Sequence, residues 1–444
     1  TSVSSSMRNW ALSRSINKAD NYDGGTTTLA PYTFNLDGEG VDVIISDTGV
    51  LPNHPELAVN EDGTGGSRVV DHDWSQYGFL STPTGGWLGD CDGHGTNVAG
   101  IAAGNRNGWA PKAAIYSLRC IGDGSEGPYY DMADGRTLTL LNSVNTWKTI
   151  KAFHLAKPIT STGYRRPTVV NASWGSIGEY PTAANTSTYG YLQYVVWKGG
   201  VYSTTATTST YGMINQSVGG DGTYPSRSSA EDAEISSMLA AGVIMTSSAG
   251  NNRHKMDVPG GSDYDNRWIT FFDISRGIVA GNYLLDYYHR GQTPGAVPGV
   301  ICVGAISVAP PEHKQNFSHT GPRVDIFCPG TYIMSPWTGS NYTSIIRDPR
   351  NSNYWLDKVS GTSQAAPQVA GVAALLAQAR PWMTSTDVLK FLNSVSTKNL
   401  LDETYYANLT TSTYTNYGSL QGAANQIMYM PFNQSTVMSI STAS

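Results

Sequence analysis

The feature that most constrains how this chain folds is a repeated alternation between short apolar runs and stretches of small residues with helical patterning. The runs "VDVIISDTG" (41–49), "AAIYSLRCI" (113–121), "PTVVNASWG" (167–175), "AGVIMTSSAGN" (241–251) and "GVICVGAI" (299–306) are flanked by glycine or by helical patterns. Strands that read as near-continuous apolar runs are buried on both faces, as in a parallel sheet. Helical candidates at 94–103, 138–155, 229–241 and 364–379 lie between several of them. Strand, helix, strand order predicts an α/β fold with a doubly wound sheet.

The remaining stretches, about 180–228, 252–298, 336–358 and 403–422, are polar and rich in Gly, Ser, Thr and Tyr. They are too aromatic for flexible linkers and carry no fixed period, so they read as ordered surface insertions into one domain over residues 1–430. Residues 431–444 form a polar C-terminal tail. Loops at the carboxyl ends of strands surround the site in such a sheet, so insertions there shape a substrate cleft.

With 444 residues, 39% of them hydrophobic, the chain can bury a large core, in two or three domains or in one enlarged one. A net charge of −6 without a basic block argues against nucleic acid and anionic lipid as partners. No apolar run reaches the roughly 18 residues of a membrane span. The start "TSVSSSMRNWALSRS" is not Met and has neither the basic nor the apolar part of a signal peptide, which reads as a mature form whose leader or propeptide has been removed. Few lysines and many Gly, Ser, Thr and Tyr suit a secreted, extracellular protein. Cys91, Cys120, Cys302 and Cys328 lack CxxC spacing, which points to two disulfides or to buried thiols rather than to zinc.

Three residues at element ends carry the chemistry. Asp47 closes an apolar strand in "VIISDTGV"; His94 sits between glycines where a small-residue helix starts in "DCDGHGTNVAGIAAG"; Ser363 starts another in "VSGTSQAAPQVAG". Each alone has an ordinary structural use, as a turn cap, a structural histidine or a helix cap. Together they have one chemical explanation: a hydroxyl needs a base to take its proton, and the base needs an acid to fix its tautomer. A helix start also puts backbone N–H groups beside a developing oxyanion. Pro367 is expected in the first turn of the Ser363 helix, where its missing N–H costs nothing.

"DTG" with "HPEL" behind it, "GHGTNVAG", "NASWG", "SSAGNN" and "GTSQAAPQVAG" resemble, in order, the signature motifs of the subtilases, the subtilisin-like serine proteases. The loop "AAGNRNGWAPKAAIY" and the segments "PGVICVGAI" and "VDIFCPG" are closest in pattern to the proteinase K branch. The resemblance implies a subtilisin-like three-layer αβα fold with a mostly parallel central sheet and large surface insertions. It implies a monomeric serine endopeptidase acting on polypeptides, with Asp47, His94 and Ser363 as triad and Asn251 as the side-chain oxyanion donor. Asn251 is otherwise a turn asparagine.

Ser173, Trp174 and Gly175 resemble the family's substrate-pairing edge strand, and "DGSEG", with Ser125 and Gly127, the opposing one, so a substrate adds as a strand between them. Ser173, Trp174, Gly175, Ser248, Ala249 and Gly250 would line the first specificity pocket. Their small, neutral walls imply an apolar or aromatic P1 residue, with Glu126 a mild attractor of basic ones; Trp174 is otherwise a core aromatic. Calcium, as a structural ion, is the implied cofactor, held by the carbonyls of Pro298 and Val300 and the carboxylate of Asp325. Asp325 is otherwise a satisfied strand-end carboxylate. The cysteines fall into the plausible pairs Cys91 with Cys120 and Cys302 with Cys328, although sequence leaves other pairings and free thiols open.

Three positions depart from the family pattern: Asn97 and Gln368 replace histidine, and Gln364 replaces the methionine after the nucleophile. Gln364 removes an oxidisable thioether beside the active serine. A competing reading is a subtilase scaffold kept as a binding component of a larger assembly, such as a virion or surface complex, with little activity.

Overall fold

The computed structural model describes residues 9–18, 35–122, 129–131, 137–180, 191–203, 211–213, 217–218, 221–271, 283–308, 310–339, 346–406 and 418–430. Successive residues of its strand Asp42–Asp47 (β1) enter two different cores. Val43 and Ile45 join one buried cluster and Ile44 another, because side chains alternate across a pleated strand. A strand buried on both sides needs a helical layer on each side.

The sheet also contains β2 (Val69–Val70), β3 (Ala114–Arg119), β4 (Thr168–Ala172), β5 (Ile244–Ser248), β6 (Ile301–Ile306), β7 (Ile326–Pro329), β8 (Thr397–Lys398) and β9 (Gln426–Ile427). Its order is β2-β3-β1-β4-β5-β6-β7-β9-β8, parallel throughout except for the final β9-β8 pair. The five apolar runs of the sequence are β1, β3, β4, β5 and β6.

The helices are α1 (Trp10–Asn17), α2 (His94–Ala103), α3 (Ser143–Ala156), α4 (Ser229–Ala240), α5 (Thr362–Ala379) and α6 (Ser385–Val395). On one face of the sheet, α2, α5 and α6 bury Val98, Val369, Val372, Leu376 and Phe391 against Val43, Ile45, Ile115 and Val303. On the other, α3 and α4 bury Trp147, Ile150, Ile235 and Met238 against Ile44, Val170 and Met245. The fold is a three-layer αβα arrangement, as expected. Each fully buried aliphatic side chain contributes about 2 kcal/mol.

Two features differ from expectation. The helix expected from 138 begins at Ser143, because Thr137–Leu140 pairs as a strand and Asn142 caps the helix after it. Pro367 lies in the second turn of α5, since that helix starts at Thr362. Its missing N–H therefore matters, as described below.

The insertions follow the carboxyl ends of β4 and β5. They form antiparallel sheets from Ile177–Tyr180, Asp221–Pro225 and Ser217–Val218, and from Tyr191–Trp197, Gly200–Ser203, Arg267–Phe271 and Tyr283–Tyr287. An aromatic core of Tyr180, Tyr211, Tyr224, Trp268 and Tyr288 orders them. The stretch near 336–358 contributes Trp355–Val359, which pairs with Ile333–Trp337. The tail 431–444 lies outside the described residues. No described helix is long and apolar enough to cross a membrane.

The cysteine pairs are corrected: all four are free thiols. Register pairs Cys328 with Ala305, three residues past Cys302, and the two sulfurs sit in clusters on opposite faces. At about 3.3 Å per residue they are beyond disulfide reach. Cys120 Sγ contacts Ser46 Oγ at 3.1 Å, while Cys91 donates to the Ile121 carbonyl. Burial raises the Cys91 thiol to about 11, so it stays protonated.

Candidate active site

Asp47 is the last residue of β1 and is fully buried. Its Oδ1 accepts the Thr48 N–H at 2.8 Å. The chain then turns through Gly49 (φ +119°) and passes close under α2, where a Cβ on Gly95 would lie 2.0 Å from the Gly49 carbonyl oxygen. Only glycine at both places lets the helix start approach the strand end.

His94 opens α2, and Asp90 fixes that opening. One Asp90 oxygen accepts the Gly93 N–H at 2.7 Å and the Thr48 hydroxyl at 2.8 Å; the other accepts the Thr96 N–H at 2.9 Å. A carboxylate bonded to first-turn N–H groups caps the helix and complements its dipole. Sequence reading passed over Asp90, although an Asp four residues before a helix-start histidine was a legible cap. With both ends fixed, His94 Nδ1 meets Asp47 Oδ1 at 2.8 Å. Burial opposes the imidazolium, but the charge and hydrogen bond of Asp47, helped by Asp92 and Asp90, outweigh it and raise the His94 pKa to about 9.

Ser363 is the second residue of α5, whose N-cap, Gly361, has no side chain to cap with. Asn251 takes that part: its Oδ1 accepts the Thr362 N–H at 2.9 Å and the Thr362 hydroxyl at 2.8 Å. With the carboxamide oxygen committed, the NH₂ group is left to donate into the cleft. The preceding Gly250 has φ +113°, and a Cβ there would lie 2.4 Å from the buried His319 ring.

Ser363 and Ser173 exchange hydrogen bonds. Ser363 Oγ donates to the Ser173 carbonyl at 2.9 Å, and Ser173 Oγ donates to the Ser363 carbonyl at 2.9 Å. That carbonyl is free because its partner in a regular helix would be the N–H that Pro367 lacks. Asn171 orients the Ser173 hydroxyl, with Nδ2 at 2.9 Å, and is itself held by Thr246. With its hydroxyl given to the Ser173 carbonyl, Ser363 makes no hydrogen bond to His94.

His94, Ser363 and Asn251 line one cleft of about 400 Å³, together with Ser173, Trp174, Gly175, Ser248 and Gly250. Trp174 is both packed and cleft-lining. Its ring stacks on Trp147 (5.5 Å between centroids) and its Nε1 donates to the Ser46 carbonyl, yet it also walls the cleft. Ala249 differs from expectation: its methyl points away, into the cluster with Met256 and Cys302. Ser125, Glu126 and Gly127 lie outside the described residues.

Gln292, which sequence reading missed, also lines this cleft while only 3% exposed. Its carboxamide packs so tightly on Gly175 that a Cβ there would lie 2.1 Å from Nε2. Nothing local marks it, because it enters the cleft from the end of a long insertion.

A model of the subtilase family, Peptidase S8, matches residues 38–424 of this chain. The chain belongs to the subtilase family. A subtilisin-like protease of Coccidioides posadasii is 25% identical over 403 residues, covering 89% of this chain and 57% of that protein. The extracellular serine proteinase of a Thermus species is 25% identical over 393 residues, covering 88% and 62%. The chain thus spans about three fifths of the length of these relatives. A cold-adapted subtilisin-like serine proteinase of solved structure shares the fold, with a TM-score of 0.54 at 21% identity, covering 95% of this chain and 98% of that one.

The three departures from the subtilase pattern meet in one place. Gln364 Nε2 donates to Asn97 Oδ1 at 3.1 Å, Asn97 Nδ2 donates to the Pro336 carbonyl at 3.3 Å, and Gln368 Nε2 donates to the Gln364 carbonyl at 3.2 Å and to that of Pro329. The Gln364–Asn97 bond links the helix that carries Ser363 to the one that starts with His94, while Asn97 ties to Pro336 and Gln368 ties α5 to the end of β7.

The set expected to hold calcium does not fit an ion as it stands. Asp325 Oδ2 accepts Arg323 Nη1 at 2.7 Å and the Cys302 N–H at 2.8 Å, and the Val300 carbonyl accepts Arg323 Nη2 at 2.8 Å. Pro298 is exposed nearby.

Proposed function

We propose that this subtilase is a serine endopeptidase that hydrolyses peptide bonds through an acyl-enzyme intermediate. The observation that carries the reading is the 2.8 Å bond between His94 and Asp47 in the cleft that also holds Ser363 and Asn251. Ser363 Oγ attacks the scissile carbonyl carbon while His94 Nε2 takes its proton, and Asp47 stabilises the resulting imidazolium. The oxyanion accepts from Asn251 Nδ2 and from the Ser363 backbone N–H. The tetrahedral species collapses as His94 gives its proton to the leaving amine. Water, deprotonated by His94, then releases the acyl group and restores Ser363.

Substrate pairs as an extended strand with Ser173–Gly175, and its P1 side chain enters between Trp174 and Ser248. The apolar face of Trp174 supports an apolar or aromatic P1, while the Gln292 carboxamide shortens the pocket. The family resemblance supports a removed propeptide and a monomer, and the name of the Thermus relative supports secretion. No step is assigned to a metal.

Ser363→Ala tests this reading. Wild type should cleave casein and react with a fluorophosphonate, and the variant should do neither. Full activity in the variant would overturn the assignment of Ser363 as nucleophile, and neither cleavage nor labelling by a folded wild type would leave the scaffold reading instead.

A further inference from the structure

We infer that the guanidinium of Arg323 takes the place of a divalent structural cation between β6 and β7, as a built-in cation that cannot dissociate. Arg323 Nη1 donates to Asp325 Oδ2 at 2.7 Å, and Nη2 donates to the carbonyls of Val300 and Val297, both at 2.8 Å. Two of the three donors that the sequence pattern assigns to an ion therefore already serve a positive charge.

An ion between those oxygens would face a permanently protonated guanidinium that is only 9% exposed. Asp325 supplies a single carboxylate, and Arg323 neutralises it. A divalent ion would have to expel the side chain from a buried position and strip it of three hydrogen bonds. Repulsion between like charges that are poorly screened makes joint occupancy unfavourable.

The contact also bears on the active cleft. Arg323 ties the Val297 carbonyl, and the turn ending there is closed by bonds from the Ala296 N–H to the Gln292 carbonyl at 2.7 Å and from the Val297 N–H to the Pro294 carbonyl at 3.0 Å. That turn carries Gln292 into the cleft. Arg323 thus holds the base of a cleft-lining turn without a cofactor that a chelator could remove.

Hydrogen exchange on the unmodified chain tests this locally. Peptides covering residues 297–303 should exchange at the same rate in calcium and in EGTA; calcium-induced protection there, including at the Cys302 N–H that bonds Asp325, would overturn the inference. In Arg323→Ser the freed oxygens should accept the ion. The same peptides should then gain protection in calcium, and the melting temperature should rise by about 3 °C at a hundredfold excess over the dissociation constant. A folded Arg323→Ser with no calcium response would also overturn it, by showing that these oxygens are not a cation site. If that variant does not fold, the wild-type exchange result decides. Neither readout depends on peptidase activity.

Discussion

Ser173 donates its hydroxyl to the carbonyl of Ser363 at 2.9 Å, filling the place that Pro367 leaves open four residues further along α5. Removing one partner of a buried hydrogen bond strands the other, at a cost of about 1–3 kcal/mol. Ser173→Ala should lower stability by that amount in urea titration. In a Pro367→Ala background, whose new N–H can reach the same carbonyl, the loss should shrink. An equal loss in both backgrounds would refute the account.

Asn251 does two things that substitution can separate. Asn251→Asp keeps an acceptor for the Thr362 N–H but loses the NH₂ donor, so stability should hold while kcat falls by about 100-fold or more. Asn251→Leu should lose activity similarly and also about 1 kcal/mol of stability, since the α5 cap goes as well. Thermal melts with kcat measurements distinguish them.

The His94 pKa of about 9 sets the pH response, because only the neutral imidazole can accept the serine proton. The profile of kcat/KM should rise with pH through an apparent pKa near 9 rather than near 6.5. The imidazolium pairing raises the folded pKa above the unfolded one. Its stabilisation is therefore complete below about pH 6.5 and is lost as pH rises through about 9. Asp47→Asn should move the rise to lower pH, weaken this pH dependence of stability, and cut kcat by about 10⁴. An unmoved profile would count against the pairing.

Gln292→Gly should deepen the P1 pocket. The ratio of kcat/KM for phenylalanine over alanine at P1 should rise roughly 10-fold or more, as a pocket enlargement of this size gives. No change would place Gln292 outside the specificity pocket.

Asn97 and Gln364 should behave as one unit. Asn97→Ala and Gln364→Ala share the 3.1 Å bond, so a double-mutant cycle should give a coupling of about 0.5–3 kcal/mol. Strict additivity would mean that the two departures from the family pattern are independent.

Asp47, His94 and Ser363 stood out in the sequence because each combines small neighbours with an element end, which leaves a local mark, and the structure brings His94 and Ser363 to one cleft with Asp47 bonded to His94. The apolar runs were legible for a similar reason: a strand covered on both faces has no polar alternation to confuse its reading. Helix α6 was missed although Thr384 and Asp387 form a capping box at its start, and α3 was begun too early because a short strand precedes it. Cys302 and Cys328 looked like partners because they lie on adjacent strands; which face each sulfur occupies follows from register, which spacing does not encode.

By itself, the sequence determined the five central parallel strands, four of the helices and the candidate residues Asp47, His94 and Ser363, since periodicity and the steric demands of a tight element end act over a few residues. Only the tertiary structure decided what Asn251, Gln292, Arg323 and Pro367 do. The groups they meet, Thr362 for Asn251, Gly175 for Gln292 and Val300 for Arg323, and Ser173, which bonds the Ser363 carbonyl that Pro367 leaves open, come from other elements of the chain. A hydrogen bond depends on an approach within about 3 Å, and that approach exists only once the sheet has brought those elements together.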